Sequence, residues 1–476
     1  MARSATRAAL PWAVAVVRRL CAAADLWPSL ATAEGAKVVA GAAPLPGPGL
    51  EKPLYRRLSA LGGAPEGSVT RVMDEWLREG KRVRPIEVIK YVKELRKYKR
   101  FAQALELMKW MDRKGIEMTY SNHAIRVDLL SKTEGLDSAE RYFSNLPEPA
   151  KNHLTYGALL NCYCTEKLAD KATALYERMK LLNYDSTTLV YNNLMILYLK
   201  LHQPEKVPPL MEDMKAKNIS PDNLTYCILM NSYASLKDID AVEQVVCELE
   251  DKGAETLPWT VYSNLSSIYI SAGLTEKAES ALKMLEVTLD KKDRTSFHFL
   301  ITLHARMGNL SEVNRIWKTM KDIFWKTTNL SYLVVLQALD RLDDLDAINQ
   351  CYEEWESRYV HHDVRLTNVV LGVYLRRNLI NEALSLWEAA IQKGSKSNFR
   401  TFEMFIDYYL KNLEVELALK YVYAAASKVK KEEWKLDKEK VNIFLEYFEE
   451  QMDVDGAEVF CQTLKKLNCL NSGVSD

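Results

Sequence analysis

The sequence predicts an all-α fold, a superhelical α-solenoid of about eleven to twelve helix–turn–helix repeats of 35 residues. The main observation is a small or β-branched residue that recurs at the same place in successive amphipathic stretches: Ala104, Ala139, Ala172, Val207, Val242, Ala278, Val313, Ile348, Ala383, Ala418 and Ala457. Seven of the ten intervals between these residues are 35 residues long. Such a period indicates a solenoid, in which each repeat buries its apolar face against its neighbours.

Composition supports a helical core and does not by itself point to a partner. Hydrophobic residues make up 48% of the 476 residues, and there are only 18 glycines and 15 prolines. Lys plus Arg equals Asp plus Glu, at 64 each. This neutral balance leaves room for a basic stripe on one face of the molecule and an acidic back.

The unit at 188–222 illustrates the predicted hairpin. Its first half places apolar side chains at helical spacing, at Val190, Leu194, Leu197 and Tyr198. Its second half repeats that spacing at Val207, Leu210, Met211 and Met214, and Pro221 with Asp222 ends the unit. These patterns predict two helices joined by a polar turn. Pro208 and Pro209 lie within the expected second helix, so we expect them to kink or delay it.

The same reading divides the whole chain. Residues 1–30 are rich in arginine and have no acid before Asp25, which is typical of an organelle transit peptide, with a secretory signal as the alternative. Residues 31–53 are rich in Ala, Gly and Pro and are expected to be a disordered linker. A degenerate repeat at 54–84 is followed by an array over 85–470 and a tail at 471–476. The predicted repeats are 85–119, 120–152, 153–187, 188–222, 223–258, 259–293, 294–328, 329–363, 364–398, 399–437 and 438–470.

Signatures of catalysis and of metal or cofactor binding are absent from the sequence. No histidine begins an H-x-E, the eight cysteines form no C-x-x-C, and there is no Walker loop, nucleophile elbow or dinucleotide fingerprint. We therefore expect a non-enzymatic protein with no cofactor, no metal and no small-molecule substrate. No stretch approaches the roughly 18 unbroken apolar residues that would span a bilayer, so no membrane partner is expected.

Three recurring signatures identify a family resemblance. First helices open with Thr155-Tyr156, Val190-Tyr191, Thr225-Tyr226 and Val261-Tyr262, and second helices close with Met179-Lys180, Met214-Lys215 and Met320-Lys321. With the Pro221-Asp222 ending of the unit at 188–222, the chain resembles the P class of the pentatricopeptide repeat family over roughly residues 50 to 470. The segments 146–172, 263–279 and 298–318 are similar to a plant mitochondrial subgroup that includes components of the mitochondrial ribosome. The resemblance implies a non-catalytic RNA-binding protein in mitochondria, with chloroplasts as the alternative.

In this family one repeat meets one base through two or three side chains. These are the fifth residue of the first helix and the last residue of the repeat, with the second residue flanking the base. Carried onto this sequence, they give the base-contact candidates Leu189, Asn192, Asp222, Ser263, Asp293, Asn368 and Asn398. The other pairs, such as Gly157 with Thr187, do not match recognised combinations. In the family, the combination of Asn192 with Asp222 favours uridine. The alternative interpretation is that Asn192 and Asn368 are leftover or cap-like polar residues.

A basic segment near the start of the array is the candidate phosphate-binding region. Its side chains are Lys81, Arg82, Arg84, Lys93, Arg96, Lys97, Lys99 and Arg100. Such a cluster neutralises phosphates without reading sequence, although an ordinary solvated helix face would look the same. The expected partner is an organellar transcript or ribosomal RNA, with mitoribosomal proteins as further candidates. The alternative is a protein–protein scaffold with little RNA binding.

Overall fold

The structure is a computed structural model that describes residues 53–61, 64–251, 257–359, 362–428 and 436–466. These residues form twenty-four α-helices and two short 3₁₀ helices and contain no strand, which confirms the predicted all-α repeat fold. The predicted transit peptide, the linker up to residue 52 and the tail lie outside the described residues. The chain divides into two compact units, Met1–Leu257 and Pro258–Asp476.

Twelve helices belong to the first unit. They are α1 (Leu54–Ala60), α2 (Ser68–Arg78), α3 (Pro85–Lys97), α4 (Phe101–Arg113), α5 (Tyr120–Glu134), α6 (Leu136–Ser144), α7 (His153–Thr165), α8 (Ala169–Leu181), α9 (Thr188–Lys200), α10 (Val207–Ala216), α11 (Asn223–Ser235) and α12 (Ile239–Asp251). The 3₁₀ turns are Glu148–Ala150 and Pro204–Lys206.

The second unit contains the other twelve helices. They are α13 (Trp259–Ala272), α14 (Thr275–Thr288), α15 (Arg294–Arg306), α16 (Leu310–Ile323), α17 (Asn329–Arg341), α18 (Leu345–Arg358), α19 (Val364–Arg376), α20 (Ile380–Gln392), α21 (Phe399–Lys411), α22 (Val415–Lys428), α23 (Lys438–Glu450) and α24 (Val454–Lys466).

Each odd-numbered helix is the first helix of a hairpin and packs on the even-numbered helix that follows it. Neighbouring first helices also pack side by side, such as α7 with α9 in the first unit and α15 with α17 in the second. Each unit therefore has a layer of first helices and a layer of second helices. From α3 onward the first helices begin at residues 85, 120, 153, 188, 223, 259, 294, 329, 364, 399 and 438. The predicted repeats from 85–119 onward begin at the same residues, and their division of the chain stays a prediction.

The recurring small residues have a clear packing role. Ten of the eleven are the fourth residue of a second helix, and all of those before Ala457 are at most 1% exposed. A short side chain at this point lets the second helix approach its neighbours closely. Val207 is the exception and begins α10.

The two prolines delay α10 without kinking it. A 3₁₀ turn, Pro204–Lys206, precedes the helix, and Pro208 and Pro209 lie in its first turn. Backbone N–H groups in the first turn have no intrahelical acceptor, so proline is tolerated there. As a result, α10 has 10 residues, whereas α4, α8 and α12 each have 13.

The signature tyrosines tie the two helices of a hairpin together. The hydroxyl of Tyr332 donates to Glu354 on the second helix of the same hairpin at 3.0 Å. Lys321, from the Met-Lys pair of the preceding hairpin, donates to the same carboxylate at 3.0 Å. Burial raises the pKa of Tyr332 to about 12, so the phenol stays a donor. The Tyr and Met-Lys signatures thus meet in one inter-repeat contact.

The first unit contains a second contact of this Tyr–carboxylate–Lys type. Tyr226 donates to Glu248 at 3.0 Å, and Lys215 of the preceding hairpin reaches that carboxylate at 3.2 Å. Tyr191 donates to Asp213 at 2.7 Å, 22 residues along the chain as in the other two cases. The spacing from tyrosine to carboxylate is therefore a property of the repeat.

Candidate nucleic-acid interface

The second residue of several first helices is an exposed apolar side chain. Leu189 on α9 is 42% exposed, as is Leu154 on α7, and Leu330 on α17 is 47% exposed. Other apolar residues of α9, Val190, Leu194 and Leu197, are buried. A periodic apolar side chain on an open face can flank a base, although a single exposed leucine is ordinary on a protein surface.

Asn192 and Asp222 meet in the structure. The Asn192 amide Nδ2 donates to Asp222 Oδ1 at 3.2 Å. That same oxygen accepts the backbone N–H of Thr225 at 2.8 Å, so Asp222 also caps α11. Asn192 is buried, and its Oδ1 has no hydrogen-bond partner in the described part of the chain. A buried amide oxygen without a donor can accept a hydrogen bond from a ligand.

Asn368 and Asn398 form the second pair. Asn368 Nδ2 donates to Asn398 Oδ1 at 3.1 Å, and Asn398 caps α21 through the backbone N–H of Thr401. The hydroxyl of Thr401 donates to Asn368 Oδ1 at 2.9 Å. Both the donor and the acceptor side of Asn368 are therefore already engaged within the protein.

Ser263 and Asp293 lie at the corresponding positions of α13 and of the start of α15. Ser263 is buried, and its Oγ has no partner among the described residues. Asp293 caps α15 by accepting the backbone N–H of Thr295 at 2.8 Å. No hydrogen bond between Ser263 and Asp293 occurs in the described structure, which leaves the hydroxyl of Ser263 available.

Helix capping is a role of the last residue of the repeat, whereas Asn192 and Asn368 lie within their helices. Side chains at the ends of seven repeats accept a backbone N–H of the next first helix, namely Asn152, Asp222, Asp293, Thr328, Asp363, Asn398 and Asp437. Such a cap satisfies donors that a helix leaves unpaired. A capping carboxylate still has a second oxygen, so capping and base contact are compatible.

The basic segment at 81–100 is more paired than its sequence suggests. Arg96 bonds to Asp128 on α5 at 2.7 Å, and Arg84 pairs with Glu87 at 2.6 Å. Lys81 pairs with Glu79 at 2.7 Å, and Arg100 donates to the Ser59 carbonyl oxygen. These four cations already have partners within the protein.

The other four candidates of this segment are exposed: Arg82, Lys93, Lys97 and Lys99. None has a carboxylate partner in the described part of the chain. Lys93 and Lys97 are on α3, and Lys97 lies 6.0 Å from the Tyr98 ring. The phosphate-binding proposal for this segment therefore rests mainly on these exposed cations.

A longer row of basic residues was not predicted from the sequence. The thirteenth residue of seven first helices is basic: Lys97, Lys132, Lys200, Arg306, Arg341, Arg376 and Lys411. The second and thirteenth residues of a helix are separated by about three turns and share a face. Within each unit, these cations therefore lie on the same face of their helices as the second residue, which in α9 is Leu189. Basic residues are also stabilised electrostatically at helix C-termini. This effect is an alternative explanation for their recurrence at the thirteenth position.

Arg306 is a fixed cation in this row. Its Nη1 donates to Ser267 Oγ at 2.7 Å and its Nη2 to Ser271 Oγ at 2.8 Å, both on the preceding first helix. Burial and the nearby charge of Arg341 lower the pKa of Arg306 to about 10, so it remains charged at neutral pH. Arg341 is exposed and has no ion pair in the described structure, whereas Arg376 pairs with Asp340. An exposed cation such as Arg341 attracts anionic ligands.

Metal-binding clusters and membrane-spanning helices are both absent from the described residues. No group of three or more His, Cys, Asp or Glu side chains in this part of the chain is arranged to hold a metal ion. Within the same residues, no helix has both the length and the apolar character required to cross a membrane.

Stacked helical hairpins with a basic row on their first helices define a helical-repeat binding protein. The PPR repeat family matches residues 186–235, and the PPR repeat matches residues 154–184 and 224–253. A mitochondrial pentatricopeptide repeat-containing protein of Arabidopsis thaliana is 40% identical over 458 residues, which cover 96% of this chain and 90% of that protein. The chain therefore belongs to the pentatricopeptide repeat family.

Two further likenesses are informative. The large ribosomal subunit protein mL101 of Arabidopsis thaliana is 42% identical over 418 residues, covering 87% of this chain and 85% of that protein. The crystal structure of the pentatricopeptide repeat protein PPR10 from maize aligns with a TM-score of 0.50 at 14% identity. That alignment covers 88% of this chain but only 64% of PPR10, and it shows the shared fold alone.

Replacing Asn192 by alanine and Asp222 by serine is expected to weaken binding of a uridine-rich RNA by about tenfold, since a good polar pair contributes about 1–3 kcal/mol of base discrimination. Serine retains a cap for α11, so the fold should be preserved. The measurement is RNA crosslinking together with fluorescence anisotropy. Unchanged crosslinking in this double variant would remove Asn192 and Asp222 from the site.

Proposed function

We propose that this protein binds RNA without catalysis and acts in mitochondrial RNA metabolism or translation as a mitoribosome-associated subunit. The observation that carries the proposal is the basic row on the first helices, which shares a face with Leu189. Cations at one repeat spacing suit the regularly spaced phosphates of an RNA strand. The mitochondrial location is supported by relatives named as mitochondrial, and the ribosomal association by the 42% identity to mL101.

Backbone contacts are proposed to contribute more than base readout. Three repeats carry a combination that fits a base, and in one of them Asn368 is already engaged on both sides by Asn398 and Thr401. The basic row covers seven repeats. This balance suits a protein that holds a structured or ribosomal RNA more than one that selects a single transcript by its bases.

The test is binding of purified full-length protein to a fluorescein-labelled single-stranded RNA of 20 nucleotides at 50 and 200 mM KCl. We expect binding at the lower salt concentration and a steep loss at the higher one, as counterion release requires. Absence of binding at 50 mM KCl would contradict the proposal and favour the protein–protein scaffold. If the protein binds RNA as expected, crosslinking in mitochondria should recover ribosomal RNA in excess over messenger RNA.

A further inference from the structure

Two adjacent side chains of α9 are buried, and each has one polar atom without a hydrogen-bond partner in the described part of the chain. Asn193 is 8% exposed, and its Nδ2 has no hydrogen-bond partner in the described part of the chain. Its neighbour Asn192 is 3% exposed and has an unsatisfied Oδ1. A buried polar group without a partner destabilises a fold, so such groups in native proteins call for a functional explanation.

Asn193 borders the candidate interface. It lies one helical turn after Leu189 and two turns before Lys200, so these three residues share one side of α9. Val190 and Leu194 are also buried, on another side of α9. Asn193 therefore shares a side of α9 with the apolar residue that would flank a base and with a cation of the basic row.

The unsatisfied atom defines the chemistry of its partner. An amide Nδ2 only donates, so the partner must supply an acceptor. The ribose–phosphate backbone presents such oxygens at every nucleotide, whereas the base edge faces Asn192 and Asp222 in the proposed site. We propose that Asn193 donates a hydrogen bond to a ribose–phosphate oxygen of the nucleotide bound by the repeat at 188–222. This inference rests on the proposed RNA-binding function and adds a residue to its site.

A second buried asparagine on a first helix provides a matched control. Asn231 on α11 is also buried, but its Nδ2 donates to the Cys227 carbonyl oxygen one turn earlier at 2.8 Å. Its donor is already used within its own helix. Removal of the Asn231 amide should therefore affect the helix locally and leave RNA affinity within about twofold of the wild type.

The experiment compares Asn193→Ala, Asn193→Ser and Asn231→Ala in the full-length protein, using fluorescein-labelled oligo(rU) and oligo(dU) of 20 nucleotides. We expect Asn193→Ala to weaken binding of oligo(rU) by about three- to tenfold, the effect of losing one hydrogen bond, with an unchanged or higher melting temperature. Serine keeps a hydroxyl donor and should restore part of the affinity. A loss on oligo(rU) alone identifies the 2′-hydroxyl as acceptor, and a loss on both oligonucleotides identifies a phosphate oxygen.

Two results would overturn the inference, and they differ from each other. If the wild type binds oligo(rU) and Asn193→Ala binds it equally well, Asn193 is only a buried polar residue and the proposed function survives. If the wild type fails to bind oligo(rU) or any mixed-sequence RNA at 50 mM KCl, the proposed function itself falls, and the inference falls with it.

Discussion

Replacing Arg306, Arg341 and Arg376 together by glutamine is expected to weaken RNA binding by about one to two orders of magnitude. If each cation neutralises one phosphate, the slope of log affinity against log salt should fall by about 2 for a single-stranded RNA. Glutamine keeps part of the length and polarity of arginine, so contact of position 306 with Ser267 and Ser271 can persist. The measurement is a salt titration of RNA binding by fluorescence anisotropy.

A matched triple variant controls for net charge. Lys283, Lys318 and Lys420 are exposed on second helices, away from the face that carries the basic row. Changing these three lysines to glutamine removes the same charge and should leave both affinity and salt slope nearly unchanged. If the two triple variants lose affinity equally, RNA is attracted by the overall charge of the protein and not by the basic row. If neither loses affinity, the basic row is not the RNA-binding surface.

Glu354→Ala is expected to lower the free energy of unfolding by about 2 kcal/mol, because it removes the shared acceptor of a part-buried network. The change leaves the Tyr332 hydroxyl and the Lys321 ammonium without their carboxylate, and it also removes the ion pair with Arg358 at 3.2 Å. In a repeat protein each interface contributes separately to stability, so the loss should centre on this part of the array. Chemical denaturation followed by circular dichroism measures it.

The neighbouring Glu353 is the control for this prediction. It is exposed on the same helix, so Glu353→Ala should change stability by no more than about 0.5 kcal/mol. Tyr332→Phe should cost less than Glu354→Ala, because the Lys321 pair remains. Equal stability of Glu354→Ala and Glu353→Ala would contradict the structural role assigned to the Tyr–carboxylate–Lys contact.

Much of the fold could be predicted because one period recurs throughout the chain. Buried small residues such as Ala104 and Ala383 are spaced by the repeat, and that spacing predicts stacked hairpins. The roles of Tyr332 and Lys321 could not be predicted, because their common partner Glu354 is 22 residues from one and 33 from the other. The sequence marked Lys321 as part of a signature pair, and Tyr332 occupies the position of the signature tyrosines, but nothing in the sequence indicated that the two meet.

The candidate site was predictable only in part. Arg96 has a suitable charge, but its partner Asp128 lies in the next repeat, and only the structure shows that the two are paired. The basic row was visible in the sequence at 35-residue spacing from Arg306 to Lys411, but total charge and local clusters conceal a periodic pattern. Asp222 remained ambiguous because one side chain both caps a helix and meets Asn192.

Sedimentation of tagged full-length protein in mitochondrial extract, with and without ribonuclease, tests the central claim most directly. Association with the ribosome through RNA predicts that the protein migrates with a ribosomal subunit and shifts to light fractions after digestion. Migration as a free protein that does not respond to ribonuclease would contradict RNA binding as its function. Light particles sensitive to ribonuclease would contradict the ribosomal association and indicate a factor for particular transcripts.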